Sequence, residues 1–417
     1  MMKRSFIVRI SVYAALFVLP IIIYFSVVGH GFLTDWYDQW MVFNRYTLGG
    51  LGVHNLIAIF DEVYHDQYSP VNQLTYTVLY NLFGADPRAF HLANLLYHAI
   101  NVCLVYAFVK NLLELRTHKN NKFVSYAALL TALLFAVHPI NTETVAWISA
   151  SKFSLYMLFG LSALLYYLRY LKSGNKWFYA FSVALFLLSF GCTEQALALP
   201  LIVPLIDWFV GRNFRDKKLW IEKIPFLLLI IAVCLFMLLL RNPFFVQYRA
   251  FYPMWQYLVF TCYALTEYLT KLVFPVNLLH LYPIPIIPGE SLPARFFIYP
   301  FMIVAMAGIA VYYRKYTMLV FGLLFFLFNV LLTLHPISTS RIIIAADRHI
   351  YLAGIGFFMT AAWYGVKYFK RLARMGKIFI CVAFAAYLIY MAGYAVIRSE
   401  VWRDSDMLKK ELREYHF

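Results

Sequence analysis

The sequence predicts an all-α protein that crosses the membrane many times, and two observations support that fold class. Of the 417 residues, 63% are hydrophobic and only 13% are charged, with a mean hydropathy of +0.69, far from the composition of water-soluble domains. Apolar runs long enough to cross a bilayer, roughly 17–25 residues each, recur along the whole chain. The first run, near residues 6–28, follows two basic residues and lacks the cleavage site of a signal peptide, so we expect it to remain as a helix.

The charge and the cysteines exclude two classes of function. The net charge is +16, but no basic face with base-reading motifs appears, so no nucleic-acid partner is expected. The basic residues cluster in short loops between apolar runs, as in the cytoplasmic loops of membrane proteins. The five cysteines lie singly in apolar segments, without the spacing of a metal site or a disulfide framework. The basic loops are 116–122, 172–176, 212–223, 314–315 and 367–377.

Placing those basic loops in the cytoplasm predicts the path of the chain. The N-terminus lies inside, the first span leads out, and residues 29–88 form a long exoplasmic loop that is rich in acidic residues. Further spans are predicted near 90–112, 123–138, 153–171, 177–192, 195–210, 224–240, 296–313, 316–334, 350–367 and 378–397. The result is a domain of residues 1–400 with about eleven transmembrane helices, followed by a short exoplasmic C-terminal tail, 401–417.

One apolar run, residues 254–274, is not counted as a span. Crossing there would place the basic residues at 314–315 and 367–377 outside, against the charge rule. The run also carries Glu267 and Lys271, which are costly in the middle of a membrane. We therefore expect this run to dip into the membrane or to lie on its outer face.

With that topology, the polar motifs outside the first loop emerge on the exoplasmic side, where Asp38 lies. They are far apart in sequence, yet the membrane confines them to one surface. This convergence predicts an active site on that side. The motifs are His138-Pro139 with Glu143, Thr193-Glu194, the proline-rich segment 275–288, and His335 with Asp347-Arg348.

Seven stretches follow one another in a family-specific order: YDQWMVFN, SPVNQLTYTVLYNLFGADPRAFHLANLLYHAINVCLVY, ALLFAVHPINTETVAWISASK, LPLIVPLIDW, KLVFPVNLLHLYPIP, ADRHIYLAGIGFF and VWRDSDML. In this order the chain resembles the C-type (GT-C) superfamily of membrane glycosyltransferases. Within it, the chain is similar to the transmembrane O-mannosyltransferase-like proteins that carry tetratricopeptide repeats, and to their bacterial relatives. The resemblance implies a GT-C-like bundle with a large first exoplasmic loop.

The chain departs from that family pattern at positions that bear on activity. The family's paired Asp-Asp after the first span reads Tyr37-Asp38, Phe153 stands where an acid is expected, and Thr193 stands where a basic residue is often found. The repeats that follow VWRDSDML in the family are not within these 417 residues. We therefore expect a small acceptor or a separate partner protein.

The resemblance implies transfer of mannose or another hexose, outside the cytoplasm, from an undecaprenyl- or dolichyl-phosphate donor to a hydroxyl group. Such a transfer needs a carboxylate to accept the proton of the attacking hydroxyl, groups that stabilise the departing phosphate, and an apolar groove for the isoprenoid. We predict Asp38 as the general base, with Asp35 as its substitute. The alternative is that both carboxylates only cap or solvate the loop.

Three basic residues are candidates for binding the donor phosphate. Arg348 is predicted at the outer end of a helix, where a guanidinium can hold a phosphate through two hydrogen bonds. The alternative is an ion pair of Arg348 with Asp347 or Glu143. Arg341 and Lys271 are the other two candidates, with the alternative that they only extend to water at the interface.

Polar residues on the second span are predicted to line the sugar pocket. His91, Asn94 and His98 are three and four residues apart, so they share one face of a helix. Hydrogen bonding to a neighbouring helix is the alternative, and we favour it for His98. No carboxylate completes a metal ligand set on that face, so no tight metal centre is predicted. A loosely held Mg²⁺ or Mn²⁺ between Asp38 and the donor phosphate is left open.

Two glutamates occupy short outer turns. Glu143 follows Pro139, which ends a helix, and we predict that it takes part in catalysis or orients the acceptor. Glu194 lies between two spans and is predicted to contact substrate. For both, the alternative is a charge placed where the membrane surface tolerates it.

Two other functions are compatible with polar groups in an apolar bundle. A transporter or flippase of lipid-linked sugars would show inverted repeats and polar groups near the midplane, whereas here the charges crowd one side. A catalytically degenerate scaffold is the other, because the second Asp of the family pair is missing. The leading prediction remains an enzyme of the bacterial inner (plasma) membrane, with its N-terminus cytoplasmic and its C-terminus exoplasmic. Its partners would be a polyprenyl-phosphate sugar, a protein, glycan or lipid acceptor, and membrane lipid.

Overall fold

The structure, a computed structural model, describes residues 2–35, 37–64, 67–118, 121–240, 252–284, 286–287, 289–334 and 343–414. Helices make up most of this described part, which confirms the all-α fold class. In the first half of the chain they are α1 (Met2–Tyr24), α2 (Tyr37–Met41), α3 (Arg45–Leu48), α4 (Val53–Asp61), α5 (Pro70–Phe83), α6 (Pro87–Thr117), α7 (Lys122–Val137), α8 (Thr142–Ala146), α9 (Ser151–Ser173), α10 (Lys176–Phe190) and α11 (Leu199–Val210).

The second half of the chain adds shorter elements and a small sheet. Two strands, β1 (Tyr282–Pro283) and β2 (Ile343–Ala345), pair antiparallel, with Tyr282 opposite Ala345. The sequence analysis did not predict this sheet. The helices are α12 (Lys217–Ile221), α13 (Ile224–Leu240), α14 (Met254–Val273), α15 (Ile298–Tyr312), α16 (Thr317–Val330), α17 (Gly354–Phe369), α18 (Arg374–Ser399) and α19 (Ser405–Glu414).

Six helical segments of the described chain are long and apolar enough to cross a membrane. A seventh span results if α7 and α8, which meet at a bend of 54°, are counted as one. Two shorter apolar helices, Lys176–Phe190 and Thr317–Thr333, accompany them. The chain is an integral, multi-pass membrane protein. The six segments are Ile7–Gly29, Pro87–Thr117, Ile148–Ser173, Lys217–Phe236, Ala294–Tyr312 and Arg374–Trp402.

The predicted exoplasmic loop, residues 29–88, is itself structured, because it contains α2 to α5. The run at 254–274 forms the unbroken helix α14 and is not among the six segments above. Its position relative to the membrane stays a prediction. The proline-rich segment that follows α14 forms no helix in its described residues and contributes β1, as expected where prolines remove backbone donors.

Local sequence signals set the helix starts that position the first loop. The Asn44 side chain accepts hydrogen bonds from the amides of Tyr46 and Thr47 and so begins α3. Asp86 caps α6 in the same way, and Pro87 occupies its first turn. The long helix α6 then packs against α1, α7 and α9 and forms the centre of the buried core.

Candidate functional site

The Asp38 carboxylate lies at the centre of the candidate site. It is in the first turn of α2 and is only 1% exposed. Its Oδ2 accepts a hydrogen bond from the Leu33 amide at 2.9 Å. Its Oδ1 accepts from the Trp147 indole at 3.1 Å, the Ser149 amide at 3.1 Å and the Ser149 hydroxyl. Burial raises the pKa of Asp38 to about 6, against the opposing effect of these hydrogen bonds, so the group titrates close to neutral pH, as a general base requires.

Three of the four donors on Asp38 come from the connection between α8 and α9. The connection runs through Trp147 and a short 3₁₀ turn, Ile148–Ala150, and the carbonyls at the end of α8 and of Trp147 need partners. The Asn94 amide on α6 supplies them, donating to the carbonyls of Thr144 and Val145 at 2.9 Å and of Trp147 at 3.3 Å. Asn94 therefore positions the backbone of Trp147, and its predicted contact with the sugar stays untested.

Glu143 and Arg348 form a buried pair next to Trp147. The backbone amide of Arg348 donates to Glu143 Oε2 at 2.8 Å, and its guanidinium binds Glu143 Oε1. The Arg348 side chain is 13% exposed and that of Glu143 is 3% exposed. The guanidinium also lies 5.4 Å from the centroid of the Trp147 ring, a favourable cation–π distance. Trp147 thus contacts both the candidate base and the candidate phosphate ligand.

Asp347 is a third buried carboxylate in this region, and it was not among the predicted site residues. The β1–β2 pairing brings the Tyr282 hydroxyl to Asp347 Oδ1, to which it donates at 2.9 Å. Burial, and then the charge of Glu143, raise the pKa of Asp347 to about 7, whereas the charges of Arg398 and Lys271 lower it. The site therefore holds a surplus of buried acid.

Two other predicted residues have partners of their own. Lys271, on α14, is buried; it donates to the Asn277 carbonyl at 2.9 Å and lies 3.7 Å from Glu267, so it holds the start of the proline-rich segment. Asp35 is 59% exposed and pairs with Lys409 of α19 at 2.6 Å. Neither contact tests whether these residues bind substrate, but Asp35 lacks the burial that distinguishes Asp38.

Of the remaining predicted residues, His91 lies on α6 and Glu194 begins the short 3₁₀ turn after α10. His91 is buried, and its Nε2 lies 3.3 Å from the Gly31 carbonyl, so it supports the start of the first loop. Glu194 is half-buried and accepts a hydrogen bond from the Thr193 hydroxyl at 3.3 Å. Arg341 lies outside the described residues.

Asp38 is closed off from solvent in the structure, with only 1% of its surface exposed. No group of three or more His, Cys, Asp or Glu side chains in the described part of the chain is placed to hold a metal ion. Because Asp38 is buried, substrate access to it requires a movement, and two surface cavities lie elsewhere. One, of about 520 Å³, is lined by Val53, Leu56, Ile57, Phe60 and Asp61, and one, of about 430 Å³, by Arg9, Ile10, Tyr13, Ala14, Phe17 and Cys103.

The sequence analysis, which selected candidate residues mainly by charge, did not predict three uncharged residues of the site: Trp147, Ser149 and Tyr282. Trp147 and Ser149 provide three of the four hydrogen bonds on Asp38, and Tyr282 binds Asp347. The available signal was the motif HPINTETVAWISASK, which contains both Trp147 and Ser149. A Trp or Tyr that is buried beside an acid usually donates its polar hydrogen to it.

The chain matches no established family model, but it is similar to curated proteins. It is 28% identical to a protein O-mannosyl-transferase of Caenorhabditis elegans over 48% of this chain and 28% of that protein. It is 29% identical to protein O-mannosyl-transferase TMTC3 of Homo sapiens over 37% of this chain, and 38% identical to TMTC4 of Homo sapiens over 27% of this chain. The matched region makes up 16% of each human protein, so only a minor part of each relative is covered. Over that part, the chain is related to the protein O-mannosyl-transferases, which confirms the resemblance indicated by its motifs.

Proposed function

We propose that this chain is an integral-membrane glycosyltransferase of the GT-C type, which moves a hexose from a polyprenyl-phosphate donor to a hydroxyl acceptor on the exoplasmic side. The relatives named as protein O-mannosyl-transferases support the reaction class. The topology that we propose is that of the sequence analysis, with the N-terminus cytoplasmic, residues 29–88 and the C-terminus exoplasmic, and a bacterial inner membrane as the location. The acceptor is a protein, glycan or lipid hydroxyl.

In the proposed reaction Asp38 is the general base. The acceptor oxygen attacks C1 of the donor sugar, its proton passes to the Asp38 carboxylate, and the bond from C1 to the phosphate oxygen breaks with its electron pair leaving on the polyprenyl phosphate. The acceptor hydroxyl replaces one of the donors now bound to Asp38 Oδ1, of which the Ser149 hydroxyl is the most easily rotated. Arg348 stabilises the leaving phosphate.

Glu143 is assigned the task of holding Arg348 in place. Both of its carboxylate oxygens are occupied by Arg348, one by the backbone amide and one by the guanidinium. A guanidinium has five N–H donors in a planar fork, so the pairing leaves donors for a phosphate. Asp35, exposed and paired with Lys409, has no assigned part in the chemistry.

One observation carries this proposal: Asp38 is a buried carboxylate whose pKa is raised to about 6, and a single indole connects it to Arg348, which is 13% exposed. A carboxylate that only solvated the loop would be exposed, as Asp35 is. Perturbed acids that are placed beside a cation are typical of catalytic sites.

The experiment is sugar transfer in reconstituted membranes with a panel of polyprenyl-phosphate hexoses. Wild type is compared with Asp38→Asn, Asp38→Glu and Asp35→Asn, and thermal unfolding in detergent checks that each variant folds. We expect Asp38→Asn to lower the rate by about 10²–10⁴-fold, the usual contribution of a general base, and Asp35→Asn to keep the wild-type rate.

The other outcomes contradict specific parts of the proposal. Equal donor consumption by folded Asp38→Asn would move the base to Asp35 or Glu143. If the wild-type protein consumes no donor of the panel, the proposal of an enzyme is contradicted, and the alternatives of a transporter or a scaffold are favoured.

A further inference from the structure

The residues that follow α18, here called the C-terminal segment (residues 400–414), form the outer wall of the Asp38 compartment. Trp402 is 1% exposed and stacks on Trp147, with ring centroids 5.1 Å apart and an interplanar angle of 16°. The Trp147 indole is the one that donates to Asp38 Oδ1 at 3.1 Å. Trp402 therefore contacts Trp147 on its ring face while Trp147 contacts the carboxylate at its edge.

The C-terminal segment is also joined to the loop that carries Asp38. The Gly31 amide donates to the Arg403 carbonyl at 2.9 Å, a backbone bond that links the start of the first loop to the segment. The Asp35 amide lies 3.4 Å from the Ser405 hydroxyl, and the Asp35 carboxylate pairs with Lys409. These contacts bracket Leu33, whose amide binds Asp38 Oδ2.

A buried ion pair fixes the far end of the segment. Glu411 binds the Arg398 guanidinium on α18 and lies 3.2 Å from His280 Nδ1. Burial opposes its ionisation, but these two partners outweigh that effect and lower the pKa of Glu411. Leu408, one turn earlier, is buried. The segment is thus held at both ends and in the middle, unlike a solvated tail.

We propose that the C-terminal segment is a positioning element of the active site. In this proposal Trp402 holds the Trp147 ring in position, and so shields the Asp38 carboxylate from water and fixes its orientation. The consequence for catalysis rests on the proposed function, whereas the closure of the Asp38 compartment does not. The groups that face Asp38 are the Leu33 amide, the Trp147 indole and Ser149, and the Tyr76 phenol on α5 is close enough to respond to its charge.

The first arm of the test measures the exposure of Asp38 without any sugar transfer. Carboxyl groups of the full chain in detergent are labelled with a carbodiimide and glycine ethyl ester, and mass spectrometry follows the rate at Asp38. We expect several-fold faster labelling in Trp402→Leu than in wild type, and restoration of the slow rate in Trp402→Phe, which keeps an aromatic ring. Trp220→Leu is the matched control, because Trp220 on α12 is 52% exposed and its indole donates to the Phe214 carbonyl.

The second arm measures transfer against pH in the same variants. Removing the stack admits water, which favours the charged carboxylate and lowers the pKa of Asp38 from about 6. The loss of rate on the acid side should therefore move to lower pH in Trp402→Leu, with a reduced kcat and an unchanged KM for the donor. A purely structural role would lower the amount of active protein and leave the shape of the profile unchanged.

Either arm can overturn the inference. Asp38 labelling in Trp402→Leu that equals wild type, or labelling that rises equally in Trp220→Leu, contradicts the closure of the compartment by Trp402. An unshifted pH profile in active, folded Trp402→Leu contradicts the positioning role. If wild type transfers no sugar, the proposed function fails, and the labelling arm still decides the closure. Trp402→Met, whose flexible unbranched side chain adapts better to irregular space, replaces Trp402→Leu if that variant does not fold.

Discussion

Two buried charge clusters lie at opposite ends of α9, which is 23 residues long and therefore spans about 35 Å. At its start is the Asp38 cluster, in which three acids accompany Arg348, and the charges of Arg398 and Lys271 also act on Asp347. At its end is the Asp207 cluster, in which Lys223 lies 2.6 Å and Arg212 3.1 Å from Asp207, and Arg212 lies 2.6 Å from Glu222. The Asp38 cluster comprises Asp38, Glu143, Asp347 and Arg348, and the Asp207 cluster comprises Asp207, Arg212, Glu222 and Lys223.

The difference between the two clusters is one of charge balance. In the Asp207 cluster two acids face two bases, so each buried charge has an opposite charge, as a structural ion network requires. In the Asp38 cluster, Asp38 and Asp347 are held by uncharged donors, and their pKa values rise to about 6 and about 7. The nearby cations Arg398 and Lys271 are engaged by Glu411 and Glu267. An unbalanced buried charge costs stability, and proteins usually keep such groups where function requires them.

The largest expected effect is on stability at the balanced end. Asp207→Ala removes the fully buried acid that Arg212 and Lys223 share and leaves them only Glu222, so we expect a loss of about 3–5 kcal/mol in the free energy of unfolding. Denaturant unfolding in detergent measures it, with Asp61→Ala, an exposed acid on α4, as the control. If Asp207→Ala folds with wild-type stability but loses sugar transfer, the comparison is contradicted, because the charge-balanced cluster would then have a functional role.

The second prediction concerns pH and the unbalanced end. The folded-state pKa of Asp347, about 7, lies above its ordinary value of 3.8, so the folded protein binds this proton more tightly than the unfolded chain does. The stability that this carboxyl contributes is thus fully present below pH 3.8 and is lost as the pH rises to about 7. Asp347→Asn removes this pH-dependent loss, so its unfolding free energy should exceed that of wild type at pH 8 by on the order of 4 kcal/mol, with little difference at pH 4.

Unfolding midpoints of wild type and Asp347→Asn, taken at pH 4 and pH 8, measure this difference. Tyr282 can still donate to the amide oxygen of the variant, so the hydrogen bond itself is preserved. A difference that is constant with pH would show that the Asp347 carboxyl is no more costly to ionise in the folded protein than in the unfolded chain.

A matched pair of glutamate variants compares the two ends directly. Glu143→Gln keeps an oxygen for the Arg348 amide but loses the negative charge that holds the Arg348 guanidinium. Glu222→Gln likewise loses a negative charge that holds the Arg212 guanidinium. We expect each to lose about 1–3 kcal/mol of unfolding free energy, measured by denaturant unfolding. Transfer per folded molecule should fall only in Glu143→Gln. Equal transfer by both variants would mean that Arg348 does not act on the donor.

The sequence predicted the helical membrane fold because hydrophobic length and loop charge report directly on spans. It also predicted that Asp38, Glu143 and Arg348 lie on the same side of the membrane. The sequence could not show that the Asn94 side-chain amide donates to backbone carbonyls. A polar residue on one face of a helix gives the same sequence pattern whether it lines a pocket or contacts a neighbouring helix. Nor could the sequence show the Trp402–Trp147 stack, because that contact joins residues 255 positions apart along the chain.

The smallest expected effect separates the two aspartates of the first loop. Asp35 and Lys409 form an ion pair in which the side chains are 59% and 42% exposed, and pairs of that kind contribute about 0.2–1 kcal/mol. Asp35→Asn and Lys409→Ala should each lower the unfolding free energy by no more than that, and the two losses should not add in the double variant because they remove the same contact. Transfer should stay at the wild-type rate in both, since the buried residues Trp402 and Leu408 and the ion pair of Glu411 with Arg398 hold the C-terminal segment in place. A large loss of transfer in Asp35→Asn alone, with Lys409→Ala unaffected, would show that the exposed carboxylate rather than the buried one meets the acceptor.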